Sequence, residues 1–265
     1  MTRILLHPGF HKTGTKSVQH FLLAAGPLIW PHAALVLPDR MRDISRLTFW
    51  HAEDPGPGLL AMMTAAMRDF LSTLSLTRPG RPPRDIVISA ENLLGPMPRG
   101  DGPPYPAAAA IMTALVRALR ERGEVSVYLS LRDQGEWARS VHAHLARKPA
   151  GPRITLGADA FADRLAPHPL ARIADGIAAA LPGTPVIAQD IADLSGERFG
   201  IAQPFVDFLR LPPAALDRLP PVPHLHRAPD PAITAQLIGL NRSPLTGEAL
   251  AAAKRDLLAA RKASA

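Results

Sequence analysis

The sequence predicts an α/β protein in which helices cover both faces of a mainly parallel central sheet, giving three layers. The short apolar run at residues 86–88 and the mainly apolar segment at residues 125–131 are typical of strands that are buried on both faces. Longer segments with apolar residues at helical spacing, such as residues 59–76, alternate with these strands. Alternation of buried strands and helices favours a parallel sheet, whose ligands bind beyond the carboxyl ends of its strands.

The opening of the chain predicts a strand, a glycine-rich turn and a helix. The first half then continues through a strand, a polar loop, a helix and another strand. The predicted positions are strands at residues 4–6, 34–37 and 86–88, helices at 15–25 and 59–76, and a loop at 39–58 interrupted by Pro55, Gly56, Pro57 and Gly58.

The second half begins with a proline- and glycine-rich excursion at residues 95–106. Helices are predicted at residues 107–122, 136–147, 158–166, 168–181, 204–211 and 245–262, with strands at 125–131 and 185–188. The proline-rich residues 212–232 are expected to be extended on the surface.

Composition limits the classes of protein that the chain represents. With 265 residues, 47% of them apolar and 20% charged, it is expected to fold as one domain over residues 1–265. The absence of cysteine fits a reducing compartment, and no signal peptide is recognised, so a cytoplasmic location is expected. The longest apolar run, residues 21–30, is too short to span a bilayer, so no stable membrane insertion is expected.

The net charge of +7 does not by itself indicate a nucleic-acid partner. The basic residues are scattered along the chain, and only five of the thirty are lysines. Two of those five, Lys12 and Lys16, lie in the turn that follows the first strand. A strand, a glycine-rich turn and a helix direct backbone N–H groups and a positive helix dipole at one point. The turn is therefore predicted to bind a phosphate or a sulfate.

The nucleotide P-loop pattern G-x-x-x-x-G-K-[ST] fits this turn imperfectly. Gly9 and Gly14 have the required spacing, but Thr15 intervenes before Lys16 and Ser17. An ATP- and Mg²⁺-dependent kinase that uses Lys16 is therefore the alternative interpretation, with Asp190 as an arguable residue for holding magnesium.

A second pattern fits better. The residues from His11 to Thr15, followed by Ser17, resemble the 5′-phosphosulfate loop of the sulfotransferase family, in its bacterial sulfotransferase-like branch. That family also has an arginine at a strand end and a serine eight residues later, which here are Arg132 and Ser140. The resemblance covers about residues 1–210. It implies a P-loop-like fold and a sulfuryl donor, 3′-phosphoadenosine 5′-phosphosulfate.

The resemblance also implies roles for individual residues. Lys12 is expected to neutralise charge on the leaving phosphate, and Glu91 is expected to accept the proton of a hydroxyl or amine acceptor. His11 and His51 are lower-ranked candidates for that base. Donor binding is predicted for Lys12, Thr13, Gly14, Thr15, Lys16, Ser17, Arg132 and Ser140, and no metal is expected.

Two features leave the function open in detail. Lys16 replaces the hydroxyl residue usual at its position in the family, and this motivates another alternative, a catalytically degenerate member that binds a nucleotide without turnover. The acceptor is expected to be a small molecule, with a carbohydrate among the possibilities. Its pocket is expected to come from residues 39–58 and 95–106, while residues 211–265 suggest no role and the oligomeric state is not predicted.

Overall fold

A computed structural model describes residues 1–149, 153–223, 225 and 230–262. The strands are β1 (Arg3–His7), β2 (Ala33–Val36), β3 (Asp85–Ser89), β4 (Glu124–Leu131) and β5 (Val186–Asp190). The helices are α1 (Thr15–Ala24), α2 (Gly26–Ile29), α3 (Arg42–Glu53), α4 (Pro57–Ser72), α5 (Ala108–Arg120), α6 (Gln134–Arg147), α7 (Ala158–Leu165), α8 (Leu170–Ala180), α9 (Gln203–Leu209), α10 (Pro213–Leu216), α11 (Pro231–Arg242) and α12 (Gly247–Lys262). Short 3-10 helices occur at Pro38–Met41, Glu91–Leu94 and Gly200–Ala202.

The chain forms two compact units. The first unit contains Met1–Met97, Tyr105–Arg132 and Leu170–Leu225. The second unit contains Pro98–Pro104, Asp133–Pro169 and His226–Ala265. The expectation of one domain over residues 1–265 stays a prediction.

The first unit is built on a five-stranded sheet in the order β2-β3-β1-β4-β5. All its neighbouring strands are parallel, which confirms the predicted α/β class. In the central strand, Leu5 is opposite Val87 of β3 and Ser126 of β4. The chain builds one side of the sheet from β2 and β3 and then crosses to the other side for β4 and β5. The carboxyl end of β1 is therefore a topological switch point, where ligands bind in open α/β sheets.

Helices cover both faces of this sheet. One face is formed by Leu5, Val87 and Tyr128, which pack with residues of α1, α2 and α9 in a single apolar cluster. The alternate residues of the same strands, including Ile4, Ile86 and Val127, are also fully buried. α5 and α8 pack against β4, and α4 packs against α5. This arrangement agrees with the expected three layers.

The second unit is helical, with α6 packing against α7 and α11, and α11 packing against α12. Its interior contains Trp137 and Phe161, both fully buried. The side chain of Asp133 caps α6 by accepting a hydrogen bond from the backbone N–H of Glu136 at 2.8 Å. Within the described residues, no helix is long and apolar enough to cross a membrane.

The predicted loop at residues 39–58 was wrong, because most of it is the 3-10 helix Pro38–Met41 followed by α3. One side of α3, including Ile44 and Leu47, is buried. Polar side chains on that side form hydrogen bonds within the folded chain. For example, the hydroxyl of Thr48 donates to the carbonyl of Asn92 at 2.8 Å. The polar composition of the segment concealed this half-buried helix.

The extended conformation expected for residues 212–232 was wrong at residues 213–216 and 231–232, which are helical, whereas residues 219–223 and 225 contain no helix. α10 begins at Pro213 and α11 at Pro231, each with proline in its first turn. Proline is favourable there because its missing N–H would have no partner within the helix. His224 and residues 226–229 of this segment lie outside the described residues. The helix predicted at residues 245–262 is confirmed as α12.

Candidate functional site: the loop after the first strand

The loop between β1 and α1 depends on three left-handed residues. Gly9, Lys12 and Gly14 have φ values of 58°, 69° and 85°. Two of these positions are glycine, which adopts this conformation without steric cost. A Cβ atom at Gly14 would also lie 2.9 Å from Cδ1 of Ile201, closer than side chains approach. Lys12 is the exception, since a non-glycine residue is strained in this region and is held there by its surroundings.

The loop ends at the amino terminus of α1. Gly14 is the N-cap residue and supplies no capping side chain. Its carbonyl accepts hydrogen bonds from the N–H groups of Ser17 and Val18 at 3.0 and 3.3 Å. The first N–H groups of a helix have no partner within the helix, and the helix dipole places positive charge beside them. This geometry suits an anion.

Thr15, the first residue of α1, provides a further polar group. The residue is 4% exposed, and its hydroxyl has no hydrogen-bond partner among the described residues. A Cβ atom added to Gly9 would lie 3.0 Å from this hydroxyl oxygen, so the missing side chain of Gly9 leaves space beside it. A buried hydroxyl without a partner is costly, and a ligand bound at the helix terminus would supply the partner.

A chain of hydrogen bonds fastens the loop to the sheet. The Thr13 hydroxyl donates to the carbonyl of Phe10 at 2.7 Å and lies 2.8 Å from the Ser130 hydroxyl. His7 Nε2 is 3.3 Å from the same Ser130 oxygen, and His7 Nδ1 is 2.9 Å from the Ser89 oxygen. One set of protons satisfies every bond: Ser89 donates to Nδ1, Nε2–H donates to Ser130, and Ser130 donates to Thr13. The network therefore accommodates a neutral His7.

The surroundings of His7 agree with the neutral ring. It is fully buried, and burial lowers its pKa to about 3. Phe205 lies edge-on to the imidazole, with ring centroids 5.0 Å apart, and the Tyr128 ring is tilted by 38° to it with centroids 5.5 Å apart. Sequence reasoning gave no role to His7, Ser89 or Ser130, although each is a polar residue near the end of a buried strand.

His11 lies in a second polar network. The Tyr105 hydroxyl is 3.0 Å from both the backbone N and the Nδ1 atom of His11, and the two rings are stacked. His11 Nε2 is 3.1 Å from Asn92 Oδ1. The amide oxygen can only accept, so Nε2 carries the proton, and Nδ1 accepts the proton of Tyr105. Both ring nitrogens are engaged, which suits a positioning role better than proton transfer.

The structure brings Arg132 to the loop. Its Nη1 atom donates to the backbone carbonyl of Lys12 at 3.4 Å, joining residues that are 120 positions apart. Both side chains are half-buried, whereas Lys16 is exposed on the first turn of α1. Two cationic side chains and the helix terminus therefore belong to one region at the carboxyl end of β1 and β4.

Glu91 follows β3, the neighbour of β1 on the other side. It begins the 3-10 helix Glu91–Leu94, and its Oε2 atom accepts a hydrogen bond from Gln19 Nε2 at 2.7 Å. The same Gln19 nitrogen lies 3.3 Å from the carbonyl of Ser89. α1 therefore fixes the half-buried carboxylate at the predicted edge of the sheet.

The sequence predicted that His51 lies in a loop, and this prediction was wrong. It is a buried residue of α3, and its Nδ1 accepts a hydrogen bond from the N–H of Gly56 at 3.2 Å. This contact holds the chain just beyond the end of α3 and gives His51 a structural role.

The two predicted serines have different environments. Ser17 is buried in α1, and its hydroxyl accepts a hydrogen bond from the N–H of Leu225 at 3.5 Å. Ser140 is a half-buried residue of α6 in the second unit. Its pairing with Arg132 as a phosphate site stays a prediction.

Comparison with known proteins gives no family. A scan against protein-family models finds no matching family, and a search of curated proteins finds no match. Among the described residues, no group of three or more histidine, aspartate or glutamate side chains is arranged to hold a metal ion.

Proposed function

We propose that this protein is a sulfotransferase with a P-loop-like fold, which moves a sulfuryl group from 3′-phosphoadenosine 5′-phosphosulfate to a hydroxyl or amine acceptor. The observation that carries the proposal is the contact between Arg132 and the Lys12 carbonyl. The family resemblance rests on two separate motifs, and this contact joins one residue of each. We also propose a cytoplasmic location and a bacterial origin.

The loop offers the groups that a phosphosulfate needs. Backbone N–H groups at the start of α1, the Thr15 hydroxyl and the Lys12 ammonium would hold the 5′-phosphosulfate. Arg132 has the planar, five-donor guanidinium that binds a phosphate in bidentate fashion, and it would hold the 3′-phosphate. The sheet topology supports this placement because the loop follows the strand at the switch point.

The reaction needs one bond to form and one to break at sulfur. The acceptor oxygen or nitrogen forms a bond to sulfur as the bond between sulfur and the bridging phosphate oxygen breaks. The acceptor proton moves to the Glu91 carboxylate, and the electron pair of the broken bond stays on the phosphate oxygen. Lys12 and the N–H groups stabilise the charge on that oxygen. Gln19 orients the base through its hydrogen bond to Glu91.

Calorimetry separates this proposal from the kinase alternative. Adenosine 3′,5′-bisphosphate, titrated without metal, is expected to bind, and Lys12→Ala is expected to weaken binding by about tenfold or more. Lys16→Ala is the matched control, because Lys16 is exposed and is expected to contribute less. Tighter binding of Mg²⁺-ATP than of the bisphosphate, with a larger loss of affinity in Lys16→Ala than in Lys12→Ala, would favour the kinase over the sulfotransferase.

Turnover separates the enzyme from a degenerate binding protein. Incubation with 3′-phosphoadenosine 5′-phosphosulfate and a panel of hydroxylated and amine acceptors is expected to yield a sulfated product and free bisphosphate. Bisphosphate binding without any product in this panel would favour the degenerate family member.

A further inference from the structure

A cavity of about 330 Å³ lies in the first unit, and Asn92, the residue after the candidate base, is part of its lining. It is lined by Pro38, Asp39, Arg42, Ser45, Arg46, Phe49 and Asn92. Its volume is at the lower end of the range for small-molecule sites. Most of the lining comes from the start of α3 and from the 3-10 helix before it.

Asn92 links the cavity to the candidate transfer site. Asn92 lines the cavity, and its Oδ1 atom accepts the hydrogen bond from His11, the residue before Lys12. It also directly follows Glu91 in the chain. A molecule in the cavity therefore borders the segment that carries the proposed base.

The charge of the lining favours an anion. Arg42 and Arg46 are one helical turn apart on α3, so both guanidinium groups lie on the same side of the helix. α3 begins at Arg42, so the positive end of its dipole adds to their charge.

The acidic partners of these arginines compete weakly with a ligand. Asp39 lies 3.1 Å from Arg42, and its side chain is 95% exposed. Asp43 lies 3.6 Å from Arg46, and its side chain is 89% exposed. Ion pairs this exposed contribute little free energy, so an incoming carboxylate, phosphate or sulfate can displace them.

We infer that this cavity binds the acceptor and that the acceptor carries an oxyanion, which Arg42 and Arg46 hold. The inference rests on the proposed sulfotransferase function and adds the substrate class to it. Ser45 and Asn92 supply hydrogen bonds for hydroxyl groups, and Phe49 supplies an apolar surface for the ring of the acceptor. A small molecule with a ring, hydroxyl groups and one anionic substituent would use all of these side chains.

Matched sugars test the inference in the protein of 265 residues. Binding of glucuronate, glucose 6-phosphate, glucose 6-sulfate and neutral glucose is measured by ligand-observed NMR. The three anionic sugars distinguish a carboxylate from a phosphate or sulfate as the preferred group. At least one of them is expected to bind more tightly than glucose, and the Arg42→Gln/Arg46→Gln double variant is expected to lose about tenfold or more of that affinity.

Arg68→Gln is the control variant. Arg68 is also a partly exposed arginine paired with a carboxylate, Glu121, but it does not line the cavity. Its sugar binding is expected to match that of the unmodified protein. Equal binding of glucose and the anionic sugars, no binding of any of them, or binding unaffected by the double variant would overturn the inference.

The two proposals fail separately. Titration of the double variant with adenosine 3′,5′-bisphosphate reports on the donor site, which Arg42 and Arg46 do not line. Loss of sugar binding with intact bisphosphate binding supports the acceptor site. Intact sugar binding in a protein that binds no bisphosphate would contradict the sulfotransferase while leaving an oxyanion site on α3.

Discussion

Gln19 donates a hydrogen bond to the carboxylate of Glu91 at 2.7 Å, across 72 positions in the sequence. The bond joins α1, whose amino terminus is part of the proposed donor site, to the segment after β3, which carries the proposed base. Gln19 is 8% exposed, so a rigid part of the protein positions the carboxylate. In the proposed mechanism, the donor and the base are thereby held by the same helix.

Glu91→Gln is expected to lower sulfate transfer by about 10²- to 10⁴-fold, since the variant amide cannot accept the acceptor proton. Bisphosphate affinity is expected to stay the same, because Glu91 has no part in holding the donor. Gln19→Leu is expected to lower the rate less, as the base remains but loses its orientation. Rates of bisphosphate release with an acceptor, together with calorimetry, measure both effects.

Glu124→Gln serves as the control, because Glu124 is an exposed residue at the start of β4, at the opposite end of the strand from Arg132. Its rate is expected to equal that of the unmodified protein. A Glu91→Gln variant with full activity would remove Glu91 as the base and leave the donor site untouched.

The geometry of the Arg132 side chain supplies a second prediction. Arg132→Ala is expected to weaken bisphosphate binding by about 10- to 100-fold, the loss typical of hydrogen bonds to a charged group. Arg132→Lys is expected to recover only part of this loss, since lysine is a point charge without the bidentate fork. Calorimetry measures the affinities of these variants. Arg122→Ala is the control, because Arg122 is an exposed arginine near the start of β4. Full recovery in Arg132→Lys would exclude bidentate binding.

The first strand, its loop and α1 could be predicted from sequence because their signals are local. An apolar run, two correctly spaced glycines and a helical pattern occur within residues 4–25. The parallel sheet could be predicted for the same reason, from the alternation of strands and helices. Left-handed Lys12 could not, since lysine carries no preference for this conformation and tertiary contacts impose it.

α3 and α11 could not be predicted because tertiary contacts override their composition. The polar side chains of Thr48 and His51 are buried in α3 with hydrogen bonds that only the folded chain supplies. α11 begins at Pro231 after the capping side chain of Asp230, which accepts from the N–H of Ala232 at 2.7 Å. Proline there starts a helix, although a proline-rich segment predicts extended chain.

The polar chain through His7 was also hidden from the sequence. His7 meets Ser89 and Ser130, 82 and 123 positions away, only because β3 and β4 are the neighbours of β1. Strand order is not encoded in any local pattern. The sequence indicated this network only through a polar residue near the end of each of the three buried strands.

Two neighbouring threonines are expected to behave in opposite ways. Thr15→Val removes a buried hydroxyl that has no partner, so the free energy of unfolding is expected to stay the same or rise, while bisphosphate affinity falls. Thr13→Val leaves Ser130 and the Phe10 carbonyl without their partner and is expected to cost about 1–3 kcal/mol. Urea unfolding and calorimetry of both variants test this. A Thr15→Val variant with unchanged affinity would exclude this hydroxyl from the donor site.

The buried His7 makes stability depend on pH. Its pKa in the folded protein, about 3, lies below the unfolded value of 6.5. Between these two values the unfolded chain binds one more proton than the folded chain. The stabilisation by neutral His7 is thus complete above pH 6.5 and is lost as the pH falls toward 3, by about 1.4 kcal/mol per pH unit at the steepest point.

Urea unfolding between pH 5 and 7 measures this slope, in a range above the ordinary pKa of most carboxyl groups. His7→Gln keeps a side chain that can bond to Ser89 and Ser130 but cannot titrate, so its slope is expected to be smaller by about one proton. His20→Gln is the control, because His20 is exposed on α1 and is expected to leave the slope unchanged. If His7→Gln and the unmodified protein show equal slopes, the folded protein accommodates a protonated His7, and the neutral hydrogen-bond chain from Ser89 to Thr13 is wrong.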